Sequence, residues 1–305
     1  SLMKANRFAL LVSLGLVLVS SSMLAFGQKK NAPAKPPKPI IFAVLNDGQT
    51  LEPIAYINGK RLENPVGGDS DQGIINAFSK VYYKNGASYR FVFGGTGAGT
   101  VTVKKSNAAG DCSKNTAEVS VLSPKVILKG FVMGLATNAA IKNKAASVRR
   151  RPTAAERSEI EALVKKEYAK HKLTATVLKS QNLTAIDVNN DGKAELVGSY
   201  WIEVDKLTRD LLFFIADKGA NGKYSFGHVS YSRIEQKDVM SQEIKDVDDG
   251  IYHEVLLDSY DFDGDGVNEV FTTQPSFEGA GFTAYQRKGN KWANIFENAN
   301  YHCAY

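Results

Sequence analysis

Asp261-Phe262-Asp263-Gly264-Asp265-Gly266-Val267-Asn268-Glu269 runs straight into Val270, Phe271, Thr272 and Thr273. Its first three carboxylates stand at alternate positions, and oxygen-only ligands in that spacing suit a hard divalent cation such as calcium. The glycine after the third carboxylate permits the sharp turn that wraps a chain around an ion. The same order recurs 74 positions earlier, at Asp187-Val188-Asn189-Asn190-Asp191-Gly192-Lys193-Ala194-Glu195, and it too feeds apolar residues, Leu196 and Val197. Two copies of one pattern point to a repeated unit that binds the same ion twice.

Ligands follow position by position. In the second loop Asp261, Asp263, Asp265 and Glu269 offer side-chain oxygens and Val267 its backbone carbonyl. The first loop offers Asp187, Asn189, Asp191 and Glu195 with the carbonyl of Lys193. One carboxylate has become an amide there, so weaker binding is expected. An EF-hand begins with this spacing, but its bidentate Glu stands at position 12 and its flanks are helices. Here position 12 is Gly198 or Thr272, the acid stands at position 9, and strand-type residues follow.

These stretches resemble the calcium loops of FG-GAP/VCBS-type repeats, the propeller blades of integrin-like proteins, whose pattern is Asp-x-Asp-x-Asp-Gly-x-x-Asp. The resemblance covers about residues 180–300 and implies β repeat units holding two calcium ions. The chain departs from the pattern in its Glu at position nine and in Asn189. It also has two recognisable units, where a closed propeller takes four or more blades.

Each loop leads into strands: 195–204, 211–216 and from 223 in the first copy, then 269–273, 282–286 and about 292–296 in the second. Ahead of them Pro152, Thr153 and Glu156 spell a capping box for a helix from 154 to about 170, with Ile160, Leu163, Val164 and Tyr168 along one face. Asp246-Val247-Asp248-Asp249-Gly250 is one residue short of the loop spacing and reads as a turn.

Further upstream, residues 40–135 alternate short strand-like runs with Asn46-Asp47-Gly48, Asn58-Gly59 and Asn85-Gly86, the punctuation of tight hairpins. Strand texture continues at 81–84, 89–93, 101–103, 118–122 and 126–132. About seven strands are expected, in a β-sandwich. Gly94-Gly95-Thr96-Gly97-Ala98-Gly99 lacks the Lys and the helix of a phosphate loop and reads as a flexible hairpin tip. Residues 136–152 lose periodicity, end in Arg149-Arg150-Arg151-Pro152, and read as a basic linker. The expected fold is therefore mainly β with some α (α+β): a β-sandwich-like domain over 40–135 and a domain over 153–305 of two β repeat units with calcium loops and one leading helix.

Lys4 and Arg7 precede an apolar run at 8–19 and a small-residue site at Ala25-Phe26-Gly27, the layout of a signal peptide over 1–27 cleaved before Gln28; the alternative is an uncleaved anchor. A Lys/Pro-rich spacer follows at 28–39, and no later segment is apolar enough to span a membrane. The protein is expected to be exported, whether periplasmic, cell-surface or extracellular. Cys112 and Cys303 then either bridge internally, stay free or pair between chains.

The net charge of +6 hides 19 basic against 7 acidic residues at 28–151 and 17 against 25 from 152 onward. The basic part fits an anionic envelope polymer or lipid headgroups, or is solvated surface, or attracts the acidic part; export argues against nucleic acid. No His-Glu-x-x-His or Gly-x-Ser-x-Gly pattern occurs, and His253-Glu254 reads as a partly exposed strand pair. The expected function is a non-catalytic calcium-binding module for adhesion or binding, its partner an anionic envelope polymer, a carbohydrate or another protein. A secreted carbohydrate-directed enzyme with its site in the acidic half, and a structural component of the envelope, are the competing classes.

Overall fold

Six strands of the N-terminal part close on themselves. In chain order the elements are β1 (Ile40–Leu45), β2 (Thr50–Asn58), β3 (Arg61–Glu63), α1 (Gln72–Tyr82), β4 (Ser88–Phe93), β5 (Thr96–Ser106), β6 (Ala117–Leu122) and β7 (Gly134–Thr137). The pairing runs β1-β7-β4-β5-β6-β2, and β2 pairs back with β1, every pair antiparallel; β3 only extends β2. The expected sandwich is thus a barrel, whose closure leaves no free edge among the six. One face of the ring packs Phe42, Leu51, Phe91, Val101 and Val119 against Phe78 and Tyr82 of α1. Residues 81–84 were expected as a strand, but Val81 and Tyr82 close this helix, whose Ile75, Phe78 and Tyr82 share its buried face. Residues 126–132 form no strand either, only one bridge between Lys129 and Val132.

This computed structural model describes residues 36–142, 149–239 and 246–303. The expected signal peptide at 1–27, most of the 28–39 spacer and part of the 136–152 linker lie outside them. The chain divides into Ser1–Pro36 and Pro37–Tyr305, and all that is described here belongs to the second unit apart from Pro36.

The C-terminal part adds β8 (Arg149–Arg150), α2 (Ala154–Lys170), β9 (Lys179–Ile186), β10 (Glu195–Asp205), β11 (Thr208–Lys218), β12 (Tyr224–Glu235) and α3 (Gln236–Val239), then β13 (Val255–Tyr260), β14 (Glu269–Pro275), β15 (Gly279–Lys288) and β16 (Lys291–Tyr301). They make two antiparallel meanders: a first sheet β12-β11-β10-β9-β8 and a second sheet β13-β14-β15-β16. The capping box of α2 forms as expected: Glu156 N–H donates to Thr153 Oγ1 at 3.2 Å, and Thr153 N–H to Glu156 Oε2 at 2.8 Å. Arg150 grips the same carboxylate through both terminal nitrogens, at 2.7 and 2.8 Å, and holds its pKa down at about 2.

Alternation along fully buried strands sets the order of the layers, because each strand face needs its own cover. Leu257, Phe271, Phe282 and Ala284 of the second sheet join Ile41, Ala43, Ile54 and Leu135 of the barrel in one cluster. Their neighbours Leu256, Val270 and Tyr285 face the other way, onto Val197, Phe213 and Ile215 of the first sheet. Leu212, Phe214 and Ala216 then turn outward to Ile160, Val164 and Tyr168 of α2. The layers run barrel, second sheet, first sheet, helix.

A shared core therefore replaces the expected boundary at 136–152. That stretch begins in β7, and Arg149 of β8 is 4% exposed at the side chain, in a 2.6 Å ion pair with the fully buried Asp258. Gly94 and Gly95, both at positive φ, donate their N–H groups to the two oxygens of Asp258 at 2.9 and 3.0 Å. The glycine tip read as flexible is a backbone nest closed on a carboxylate. Of the three options for the cysteines, the internal one is present: Cys112 bridges Cys303, with Cα atoms 5.2 Å apart. Among the described residues no helix is long and apolar enough to cross a membrane.

Candidate metal centre

Both loops join two neighbouring antiparallel strands, β9 to β10 in the first sheet and β13 to β14 in the second. They share most of their bonds and differ at the first aspartate, where Asp187 Oδ1 accepts the Asn189 N–H at 3.3 Å but Asp261 Oδ1 accepts the Gly264 N–H at 2.6 Å. Gly192 N–H donates to Asp187 Oδ2 at 2.9 Å, and Gly266 N–H to Asp261 Oδ2 at 3.1 Å. Lys193 donates its N–H to Asp191 Oδ1, and Val267 to Asp265 Oδ1, each at 2.8 Å. Asp191 N–H reaches Asn189 Oδ1 as Asp265 N–H reaches Asp263 Oδ1. The fourth and sixth positions are left-handed in both: Asn190 (φ 58°) and Gly192 (79°), Gly264 (79°) and Gly266 (92°). Each loop curls around its own side-chain oxygens.

The two differ in what converges. Among the described residues, Asp261, Asp263 and Asp265 form the one group of three or more acidic, His or Cys side chains whose ligand atoms all lie within 4.8 Å of one another. In the first loop the Asn189 amide nitrogen donates to Asp191 Oδ2 at 3.3 Å, occupying a lone pair that an ion would use. Lys142 brings its ammonium against the second loop, at the place a Cβ on Gly264 would take.

The position-9 acids stand behind the loops rather than in that cluster. Glu195 Oε2 accepts the Val188 N–H at 3.1 Å, and Glu269 Oε2 accepts the Phe262 N–H at 3.3 Å. Burial pushes the Glu269 carboxyl up to about 8 and Glu195 up to about 7, against the hydrogen bonds they receive. Their further partners come from the strand that follows in each sheet, β11 or β15, and were not foreseen from the sequence. Gln286 donates through Nε2 to Glu269 Oε1 (3.1 Å) and Asp263 Oδ2 (3.2 Å), joining the rear acid to the front one. At the matching register of the first sheet stands Asp217, which accepts the Trp292 indole N–H at 3.1 Å and faces Arg287, itself 3.6 Å from Glu195. Trp292 and Arg287 belong to the second sheet, so its strands complete the back of the first loop. The loops also touch directly: Asn268 N–H donates to Val188 O at 2.7 Å.

His253 and Glu254, expected as a partly exposed strand pair, are half-buried and stand just ahead of β13 rather than in it. Glu254 Oε1 accepts from Thr272 Oγ1 at 2.6 Å and Tyr285 OH at 2.9 Å, and burial pushes its carboxyl upward. Asp246–Gly250 is the expected turn, a 3-10 segment whose Asp248 pairs with Arg209 at 2.8 Å.

Comparisons with protein-family models, with curated protein sequences and with solved structures returned no match, so the likeness to FG-GAP/VCBS-type repeats is carried by the two loops themselves.

Proposed function

We propose that this is an exported, non-catalytic binding module whose two repeat units are braced by calcium in the manner of FG-GAP-type blades. The observation that carries the reading is the set of backbone bonds the two loops share, with three carboxylates converging in the second. Asp261, Asp263 and Asp265 would hold the ion there, with the Val267 carbonyl and Glu269 behind them; Asp187, Asn189, Asp191, Lys193 and Glu195 make the weaker counterpart. Calcium supplies positive charge that offsets the repulsion of the clustered carboxylates. The loops then serve as hairpin braces that fix how the two sheets stack. The Cys112–Cys303 bridge supports an oxidising compartment, in keeping with export.

Thermal unfolding in calcium and in chelator tests this. Calcium at a hundred times its Kd is expected to stabilise the fold by about 2.7 kcal/mol. Identical melting curves in the two conditions would sink the metal reading.

A further inference from the structure

Between the barrel and the second sheet lies a cavity of about 690 Å³, within the range of small-ligand sites. None of its lining residues belongs to either loop. At its floor Glu52 of β2, 1% exposed, accepts the Asn300 amide at 2.6 Å and pairs with His302 Nε2 at 2.7 Å. Asn300 is tied in turn to Asn115 at 2.8 Å and to the Gly68 N–H at 2.9 Å, which locks its orientation. His302 lies one residue from the Cys112–Cys303 bridge, and its backbone is held at both ends: its N–H donates to Glu278 O at 2.7 Å, and its carbonyl accepts the Ser113 N–H at 3.2 Å. A buried carboxylate, an oriented amide and a fixed imidazole facing a cavity make a costly arrangement for a core to keep. With Nε2 on Glu52, Nδ1 is the ring's remaining polar atom.

The walls select the ligand. Among the described residues no Lys or Arg lines the cavity, so an anionic ligand meets no counter-charge there beyond an imidazole already paired with Glu52. The rim carboxylates are engaged as well: Glu118 with Lys105 at 3.6 Å, and Asp47 with the Gly130 N–H at 2.8 Å. What remains is neutral and polar, beside the apolar Phe131 and Met133: the Ser276 hydroxyl; Thr50 Oγ1, which accepts from Asn46 and keeps its proton to donate; and Thr116 Oγ1 and Asn107 Oδ1, which keep lone pairs while Thr116 donates to Ser113 O and the Asn107 amide nitrogen to Cys112 O and Ser113 O. Hydroxyl-rich edges with an apolar face are the chemistry of a sugar ring. We propose that this cavity binds a neutral saccharide, with His302 as a recognition residue held in place by Glu52. The proposal rests on the reading of the protein as a binding module and not on the metal.

Calorimetry on the full chain with cellobiose, chitobiose, maltose and lactose tests it, with spermidine and glucose 6-phosphate as charged controls. At least one disaccharide is expected to bind, and His302→Ala to weaken it about tenfold or more. Should His302→Ala fail to fold, the His302 ring protons of the wild-type protein report by NMR and are expected to shift on titration. Absence of binding by all four disaccharides, binding indifferent to His302 in both measurements, or preference for either charged control overturns the proposal. Saccharide binding that persists in a protein indifferent to calcium overturns only the metal reading.

Discussion

Opposite Val197 in the first sheet stands Thr184; at the matching register of the second sheet, opposite Phe271, stands Asp258. The loops beside these positions share their backbone bonds, yet the two sheets are attached quite differently. Asp258 accepts from Gly94 and Gly95, Asn300 reaches Asn115, and Cys303 bridges Cys112, so the second sheet is fastened to the barrel by carboxylate, amide and covalent bond, while Arg149 of β8 ties Asp258 to the first sheet as well. The core clusters of the first sheet contain no barrel residue; it is seated on the second sheet and covered by α2. A unit duplicated in sequence keeps what its own loop demands and diverges wherever its neighbours differ.

Four experiments press on this contrast. The largest effect expected is from reducing the disulfide, which closes a span of 191 residues between the second sheet's end and the barrel. In the chain-entropy account the loss is about 5 kcal/mol, read from urea unfolding with and without reductant. Coincident curves would show that the bridge fastens nothing. Next, Asp258→Ala strands Arg149 in the core and is expected to cost about 3–5 kcal/mol, whereas Thr184→Ala, its counterpart, should stay within about 1 kcal/mol. Equal shifts of the urea midpoint would erase the contrast. Third, Asp265→Ala is expected to remove most of the roughly 2.7 kcal/mol that saturating calcium confers, and Asn189→Ala less of it; calorimetric affinities in the reverse order would overturn the ranking of the loops.

The smallest effect concerns pH. The hydrogen bond to Glu52 raises the His302 pKa, so the protonated ring favours the folded state. That contribution is complete below the unfolded value of about 6.5 and is lost as the pH rises through the higher folded value. Urea midpoints of the wild-type protein should fall across this window, and those of His302→Gln should fall less; parallel profiles would count against the pairing.

What could be read in advance was local. The two loops declare themselves through ligand spacing and glycine position, α2 through Thr153 and Glu156, and three strands of each unit through turn residues and apolar runs. The barrel could not be read, because its closure depends on β1 pairing with both β2 and the distant β7, and alternation along a strand names no partner. The helix α1 was hidden by Val81, Tyr82 and Tyr83, residues that favour strands but here end a helix packed on Phe42. In the candidate site, the clustering of Asp261, Asp263 and Asp265 was legible from their alternate spacing. Gln286 and Asp217 were not, since only the hairpin register sets them opposite the position-9 acids, nor was Arg287, which reaches Glu195 from the other sheet. The glycine tip was misread for a related reason: its occupant, Asp258, lies 164 residues from Gly94 along the chain.

The bridge between Cys112 and Cys303 has one more consequence. The hairpin between β10 and β11 turns at Lys206 and Leu207, with Leu207 56% exposed, a place open to a protease. A cut there falls inside the span that the disulfide closes. Both fragments stay joined, and the severed chain keeps the first sheet, the second sheet and the barrel as one covalent particle.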